Sequence, residues 1–87
     1  MILFHVTTPK KAKLYRNSRM IKKPVRAFDT LMGAMAWAIK TGRSVIYKIE
    51  SKNVYKMPDH HNQYGMAWWA DENITRFSCI RTKGVKP

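Results

Sequence analysis

The sequence predicts an α+β fold, a single small domain in which two helices pack on a small, mostly antiparallel sheet. The chain has 87 residues, of which 45% are hydrophobic, enough for one core but not for two. Two segments carry helix-start signals, and several short apolar segments are typical of strands. No repeat or linker divides the chain. We therefore predict one basic domain over residues 1–82, followed by a loose basic tail over residues 83–87.

The first part of the chain predicts a strand, a helix and a second strand. Residues 2–6 are mostly apolar and predict a short buried strand that His5 interrupts. Thr7-Thr8-Pro9 predicts a helix start, because Thr is a favoured N-cap and Pro is tolerated at the first helical position. This helix should run to about Asn17. Residues 25–28 then predict the second strand.

The second helix has the strongest pattern in the sequence. Asp29 or Thr30 is predicted to cap it, and Gly42 to end it in a left-handed conformation. Apolar residues recur at i, i+3, i+4, i+7 and i+8, so that one face should contact a core: Leu31, Ala34, Met35, Ala38 and Ile39. Met32, Ala36 and Trp37 widen this face, and we expect Trp37 to lie in the core.

The remaining chain predicts mostly strands. Residues 43–50 should form one, with Val45, Tyr47 and Ile49 on one face and Ile46 on the other. Residues 53–57 predict another strand, residues 58–62 a polar loop, and residues 74–82 the final strand. Residues 65–70 are apolar, but they are too few to assign.

Charge is the strongest bulk signal for function. Seventeen Lys and Arg oppose five Asp and Glu, which gives a net charge of +12. Eight of the basic residues fall within residues 10–26, and Asp29 is the first acid in the chain. Such an imbalance costs self-repulsion, which a polyanionic partner offsets. We expect that partner to be nucleic acid, with an acidic protein surface as the first alternative. A membrane is disfavoured because the basic segment has no broad apolar face.

Several other classes of protein are disfavoured. No apolar run approaches the ~18 residues of a membrane span, and residues 1–4 are too short for a signal-peptide core. Cys79 is the single cysteine, so it cannot form an internal disulfide or complete a zinc pattern. We therefore expect a cytoplasmic protein without a metal site. We interpret the loop Asp59-His60-His61-Asn62 as pH-sensitive or RNA-contacting.

Basic residues are interleaved with aromatic residues along the chain. This pattern is typical of proteins that hold single-stranded nucleic acid in a cationic groove with aromatic faces for stacking. RNA is favoured over DNA because the sequence has no recognition-helix motif. Of Trp68 and Trp69, we expect one inside and one exposed. The predicted nucleic-acid-binding residues are Lys10, Lys11, Lys13, Arg16, Arg19, Lys22, Lys23, Arg26, Arg43, Tyr55 and Tyr64.

Two segments of the first half also carry a family resemblance. Phe4-His5-Val6-Thr7-Thr8 precedes one predicted helix, and Val25-Arg26-Ala27-Phe28-Asp29-Thr30 precedes the other. Over residues 2–50 the sequence resembles the ADP-ribosyltransferase fold, especially small relatives of the RNA 2′-phosphotransferase type. The resemblance implies that His5 bonds the ribose of NAD and that the segment with Thr30 supports the nicotinamide pocket. It also makes Glu72, before a late strand, the candidate catalytic acid.

The chain departs from this family in length and in its middle strands. Our leading hypothesis is therefore a non-enzymatic RNA-binding protein without a cofactor, on a scaffold of this type that has lost its chemistry. His5 would then be a partly buried histidine bonded to the backbone, and Glu72 a solvated loop acid. The alternative is a minimal NAD-dependent transferase that uses His5, Thr30 and Glu72.

In size and charge, the chain also resembles small early phage proteins that block a host defence factor. Some of those proteins neutralise a toxin partly by binding RNA. This resemblance implies an antitoxin-like inhibitor whose partner is a host protein or ribonucleoprotein.

Overall fold

The structure is a computed structural model that describes residues 1–81, so the predicted tail over residues 83–87 lies outside the described residues. In chain order its elements are β1 (Ile2–Thr7), α1 (Pro9–Ser18), β2 (Val25–Phe28), α2 (Leu31–Thr41), β3 (Val45–Glu50), β4 (Val54–Lys56), a 3-10 turn (Pro58–His60), β5 (Ala67–Ala70) and β6 (Phe77–Arg81). The strands form one sheet in the order β4-β5-β2-β1-β3-β6, and all neighbouring strands are antiparallel. The predicted α+β class is confirmed.

Helix α1 forms where the sequence predicts it. The Thr8 hydroxyl oxygen accepts the Lys11 backbone N–H at 3.2 Å, and Pro9 opens the first turn. Only Ala12 of this helix is fully buried, and Tyr15 packs partly buried against the same core. The Lys and Arg side chains of α1 therefore project into solvent.

Helix α2 packs on the other face of the sheet through a narrower stripe than predicted. Thr30 is its N-cap, with the hydroxyl oxygen accepting the Gly33 N–H at 3.0 Å. Ala34 and Ala38 are fully buried, but Met32 and Ile39 are 62% and 64% exposed. Since one sheet face covers one side of the helix, Met32 stays in solvent, and so does Ile39, which corrects the predicted place of Ile39 on the core face. Trp37 is only partly buried, which corrects its predicted place in the core.

The later strands differ from prediction at two places. The unassigned residues 65–70 contain β5, whose Ala67 and Ala70 are buried in different core clusters. The final strand begins at Phe77, because Ile74 forms an isolated bridge with Ile21 instead. Both bridge residues are buried, so this bridge closes the core beside the sheet.

The connection between β3 and β4 requires the sheet to curl. From Glu50 to Val54 the chain can reach at most ~14 Å, whereas β3 and β4 stand four positions apart in the sheet. Four strand spacings would cover ~19 Å in a flat sheet. The larger core cluster lies on the α1 side and contains or contacts residues of all six strands. We infer that the sheet curls around this cluster.

The two central strands β1 and β2 meet at one point. β1 pairs with β3 over six residues, from Ile2 to Thr7, but its register with β2 is the single pair Phe4 and Phe28. No residue from His5 to Thr7 is paired with β2, and we infer that the two strands separate towards Thr7. This separation creates a gap in the middle of the sheet, with α1 on one side and α2 on the other.

Candidate nucleic-acid interface

A cleft of about 470 Å³ lies where β1 and β2 separate. Its walls come from the end of β1, from α1, from β2 and the loop before it, from Arg43 ahead of β3 and from the segment after β4. This volume is within the ~300–1,000 Å³ that is typical of ligand sites. The cleft is therefore large enough for a ligand, and residues of both β1 and β2 line it.

The charged side chains that line the cleft are all positive. Its lining includes four Lys and Arg side chains and the two imidazoles of His5 and His60, while the described lining contains no Asp or Glu. The four cations are Lys11, Lys22, Arg26 and Arg43, and all are exposed. A concave surface of one charge sign focuses the field and concentrates counter-ions. Arginine also offers a planar fork of donors that matches phosphate oxygens.

The cleft also has aromatic and hydroxyl groups. Phe28 and Trp37 line it with their ring centroids 6.1 Å apart, and Tyr15 lines it from α1. Thr7 and Thr8 contribute the polar edge at the end of β1. Trp37 is only partly buried, and it borders this cleft. Cations, hydroxyls and aromatic rings together suit a ligand that carries both phosphate and a flat apolar group.

His5 bridges the two strands at the point where they separate. The carbonyl of Arg26 can only accept, so His5 Nδ1 carries the proton that it donates to that oxygen at 2.6 Å. Nε2 then accepts the Tyr15 hydroxyl at 3.1 Å. Burial lowers the pKa of His5, and the charges of Lys11 and Arg43 lower it further, against the opposing effect of the Arg26 carbonyl. His5 is therefore a neutral, backbone-bonded histidine at the edge of the cleft.

The lowered pKa of His5 predicts acid sensitivity below the ordinary pKa of ~6.5. As pH falls through this value, the unfolded chain gains a proton that the folded His5 resists, so folding stability should fall with pH. We expect urea unfolding to show this loss between pH 7.5 and 5.5, and the loss should shrink in His5→Gln. An equal pH dependence in the variant would show that another group causes it.

The two other residues of the transferase hypothesis have structural partners elsewhere. Thr30 caps α2, and its hydroxyl also donates to the Tyr64 carbonyl at 2.7 Å. One carboxylate oxygen of Glu72 accepts the Ser51 hydroxyl at 2.6 Å and the N–H groups of Lys52 and Asn53 at 3.1 and 3.2 Å. These hydrogen bonds lower the pKa of Glu72.

Glu72 is thus a partly exposed loop acid whose hydrogen bonds hold the short connection between β3 and β4. Neither Glu72 nor Thr30 is among the residues that line the cleft, whereas His5 is. The structure therefore does not gather the three residues around the cleft.

The predicted nucleic-acid-binding residues fall into three groups. Lys11, Lys22, Arg26 and Arg43 line the cleft. The other basic residues are exposed on α1 or in the segment that follows it: Lys10, Lys13, Arg16, Arg19 and Lys23. Tyr55 and Tyr64 are exposed by 51% and 46% and lie outside the cleft lining. Sequence reasoning missed Trp37 and Met57 as cleft residues, and it reached His60 only through its polar loop.

The remaining candidate ligands are scattered. His60 and His61 are exposed at the 3-10 turn, and Cys79 is exposed on the opposite edge strand, β6. Within residues 1–81, no three His, Cys, Asp or Glu residues are placed to hold a metal ion. In the same part of the chain, no helix has the length and apolar character to cross a membrane.

No protein-family model matches the chain, and searches among curated proteins and solved structures found no match. The resemblance to the ADP-ribosyltransferase fold therefore stays a prediction. The chemistry of the cleft is therefore the main indication of function.

Proposed function

We propose that this protein binds nucleic acid, RNA in preference to DNA, and does so without catalysing a reaction. The observation that carries the proposal is the cleft between β1 and β2, which combines four Lys and Arg side chains with a described lining free of Asp and Glu. Phosphate groups would occupy this cleft. The exposed basic residues of α1 would extend the positive surface beside it.

The shape of the site supports an unpaired strand as the ligand. Proteins that recognise the DNA major groove insert a helix or a ribbon into the groove, whereas here the cations line a concave cleft. Sequence-specific RNA recognition mostly targets loops and single strands, whose bases can stack on aromatic side chains. A flexible RNA single strand can enter such a cleft, and the partly buried rings of Trp37 and Tyr15 offer aromatic surface inside it.

Salt dependence tests the proposal directly. With about six phosphate contacts and a slope of about −0.7 per contact, log affinity for single-stranded RNA should fall against log salt with a slope of roughly −4. Fluorescence anisotropy of a labelled single strand, repeated at several salt concentrations, measures this slope. An affinity that stays flat from low to high salt would exclude an electrostatic cleft.

The transferase alternative makes a different prediction for Glu72. Glu72→Gln is expected to leave RNA affinity and its salt slope unchanged, because the residue contacts the β3–β4 connection and not the cleft. The same anisotropy titration on the variant checks this. Saturable NAD binding that is lost in His5→Ala, together with an activity lost in Glu72→Gln, would instead support an enzyme.

The inhibitor hypothesis is an extension of the same proposal. Capture of a host ribonucleoprotein from lysate, lost after ribonuclease treatment, would support a partner that is reached through RNA. Capture that survives ribonuclease would favour direct recognition of a host protein.

A further inference from the structure

An aromatic pair lies at the edge of the sheet, outside the cleft. Tyr55 of β4 stands opposite Trp69 of β5, and their rings are stacked with centroids 4.8 Å apart and an interplanar angle of 28°. β4 is the edge strand, so no further strand covers Tyr55, which is 51% exposed. Trp69 covers one face of the Tyr55 ring, which leaves the outer face open to solvent.

This pair is close to the cleft along the same strand. The ladder of β4 continues to Met57, whose N–H donates to the Ala67 carbonyl at 2.8 Å. Tyr55 and Met57 are two residues apart in extended chain, so they share a face and are separated by ~7 Å. Met57 and the nearby His60 line the cleft. An RNA strand that leaves the cleft on this side would therefore pass over Tyr55.

We propose that the outer face of Tyr55 is a stacking subsite for one unpaired base of a strand whose phosphates occupy the cleft. This inference rests on the proposed function and adds a contact for one base of the single-stranded RNA. Trp69 fixes the Tyr55 ring before binding, so less side-chain entropy is lost when a base stacks. Stacking of this kind tolerates any base, since every base has a flat π-face.

Two strands of equal length and charge test the subsite. One is a short single-stranded RNA, and the other is the same ribose-phosphate backbone without bases. The native protein should bind the base-bearing strand about 5- to 150-fold more tightly, which corresponds to the ~1–3 kcal/mol of one stacked base. Tyr55→Ala should reduce this difference to what the aromatic rings of the cleft contribute, and it should keep the salt slope. Tyr55→Phe should retain the difference, because it keeps the ring.

Met32→Ala serves as the matched control, since Met32 is similarly exposed but lies on α2. It should keep the preference for bases. Equal affinity of the native protein for both strands, with a steep salt slope, would overturn the subsite and leave the proposed function standing. A Tyr55→Ala variant whose preference is as large as that of the native protein would also overturn it. Failure of both strands to bind would overturn the proposed function and the subsite together. Should Tyr55→Ala unfold, Tyr55→Leu takes its place, because it keeps an apolar side chain without a ring, and it should lose the same part of the preference.

Discussion

Replacement of Lys11, Arg26 and Arg43 by Gln is expected to lower affinity for single-stranded RNA by about 100-fold at 0.1 M salt. Each lost phosphate contact removes about 0.7 from the log–log salt slope, so the slope should decrease by about two units in magnitude. All three side chains are exposed and line the cleft. The fold should be retained, because removing neighbouring like charges relieves repulsion and Gln has good helix propensity at position 11.

A matched variant separates the cleft from the overall charge. Three other exposed cations lie outside the cleft lining: Lys48, Lys52 and Arg76. Their replacement by Gln removes the same number of positive charges. We expect this variant to keep the native salt slope. If anisotropy titrations show the same loss for both triple variants, RNA binding depends on net charge and not on the cleft.

Leu3→Ala is expected to destabilise the protein by about 2–5 kcal/mol, the usual range for truncating a fully buried leucine. Leu3 is 0% exposed and lies on the central strand, opposite Ile49 and within the larger core cluster. An 87-residue domain has a total stability of only about 4–13 kcal/mol. The variant should therefore unfold at much lower urea concentration or fail to fold.

Ile39→Ala is the control for this prediction. Ile39 is also a large aliphatic residue, but it is 64% exposed on α2, so its loss should change stability by no more than ~0.5 kcal/mol. Trp37→Ala should fall between the two because Trp37 is partly buried. A Leu3→Ala variant that unfolds at the same urea concentration as the parent would show that the core is placed wrongly.

Local signals explain why much of the fold could be predicted. Thr8 with Pro9, and Thr30 with Gly42, are chemical start and stop signals that act within one turn of chain. The alternation of β3 is equally local, since its two faces meet different core clusters. Such features need no knowledge of distant residues.

The missed features depend on contacts that are distant in sequence. Strand β5 reads Ala-Trp-Trp-Ala and shows no alternation, because it lies between β2 and β4 with core contacts on both faces. Ile74 leaves the final strand because Ile21, far away in the sequence, pairs with it. The exposure of Ile39 follows from how much of α2 the sheet covers, which the helix sequence does not determine.

The candidate site was predictable only in its charge. The cluster of basic residues ahead of the first acid indicated an anionic ligand, but the cleft itself depends on the separation of β1 from β2. Arg43 follows α2 in the sequence, whereas Lys11 and Arg26 precede it. The three residues line one cleft only in the folded chain. Glu72 and Thr30 were singled out by motif, yet their hydrogen bonds are those of a turn and a helix cap.

The strand order has a consequence for how the chain emerges from the ribosome. The three central strands, β2-β1-β3, are all complete by residue 50, whereas β4, β5 and β6 occupy the positions towards the two edges. During synthesis from the N-terminus, the middle of the sheet can pair before the flanking strands exist. The nascent chain would then expose both edges of that partial sheet, and with them the sites where misdirected strand pairing begins. Its dense positive charge is already translated at that stage and would repel other nascent copies of the same protein.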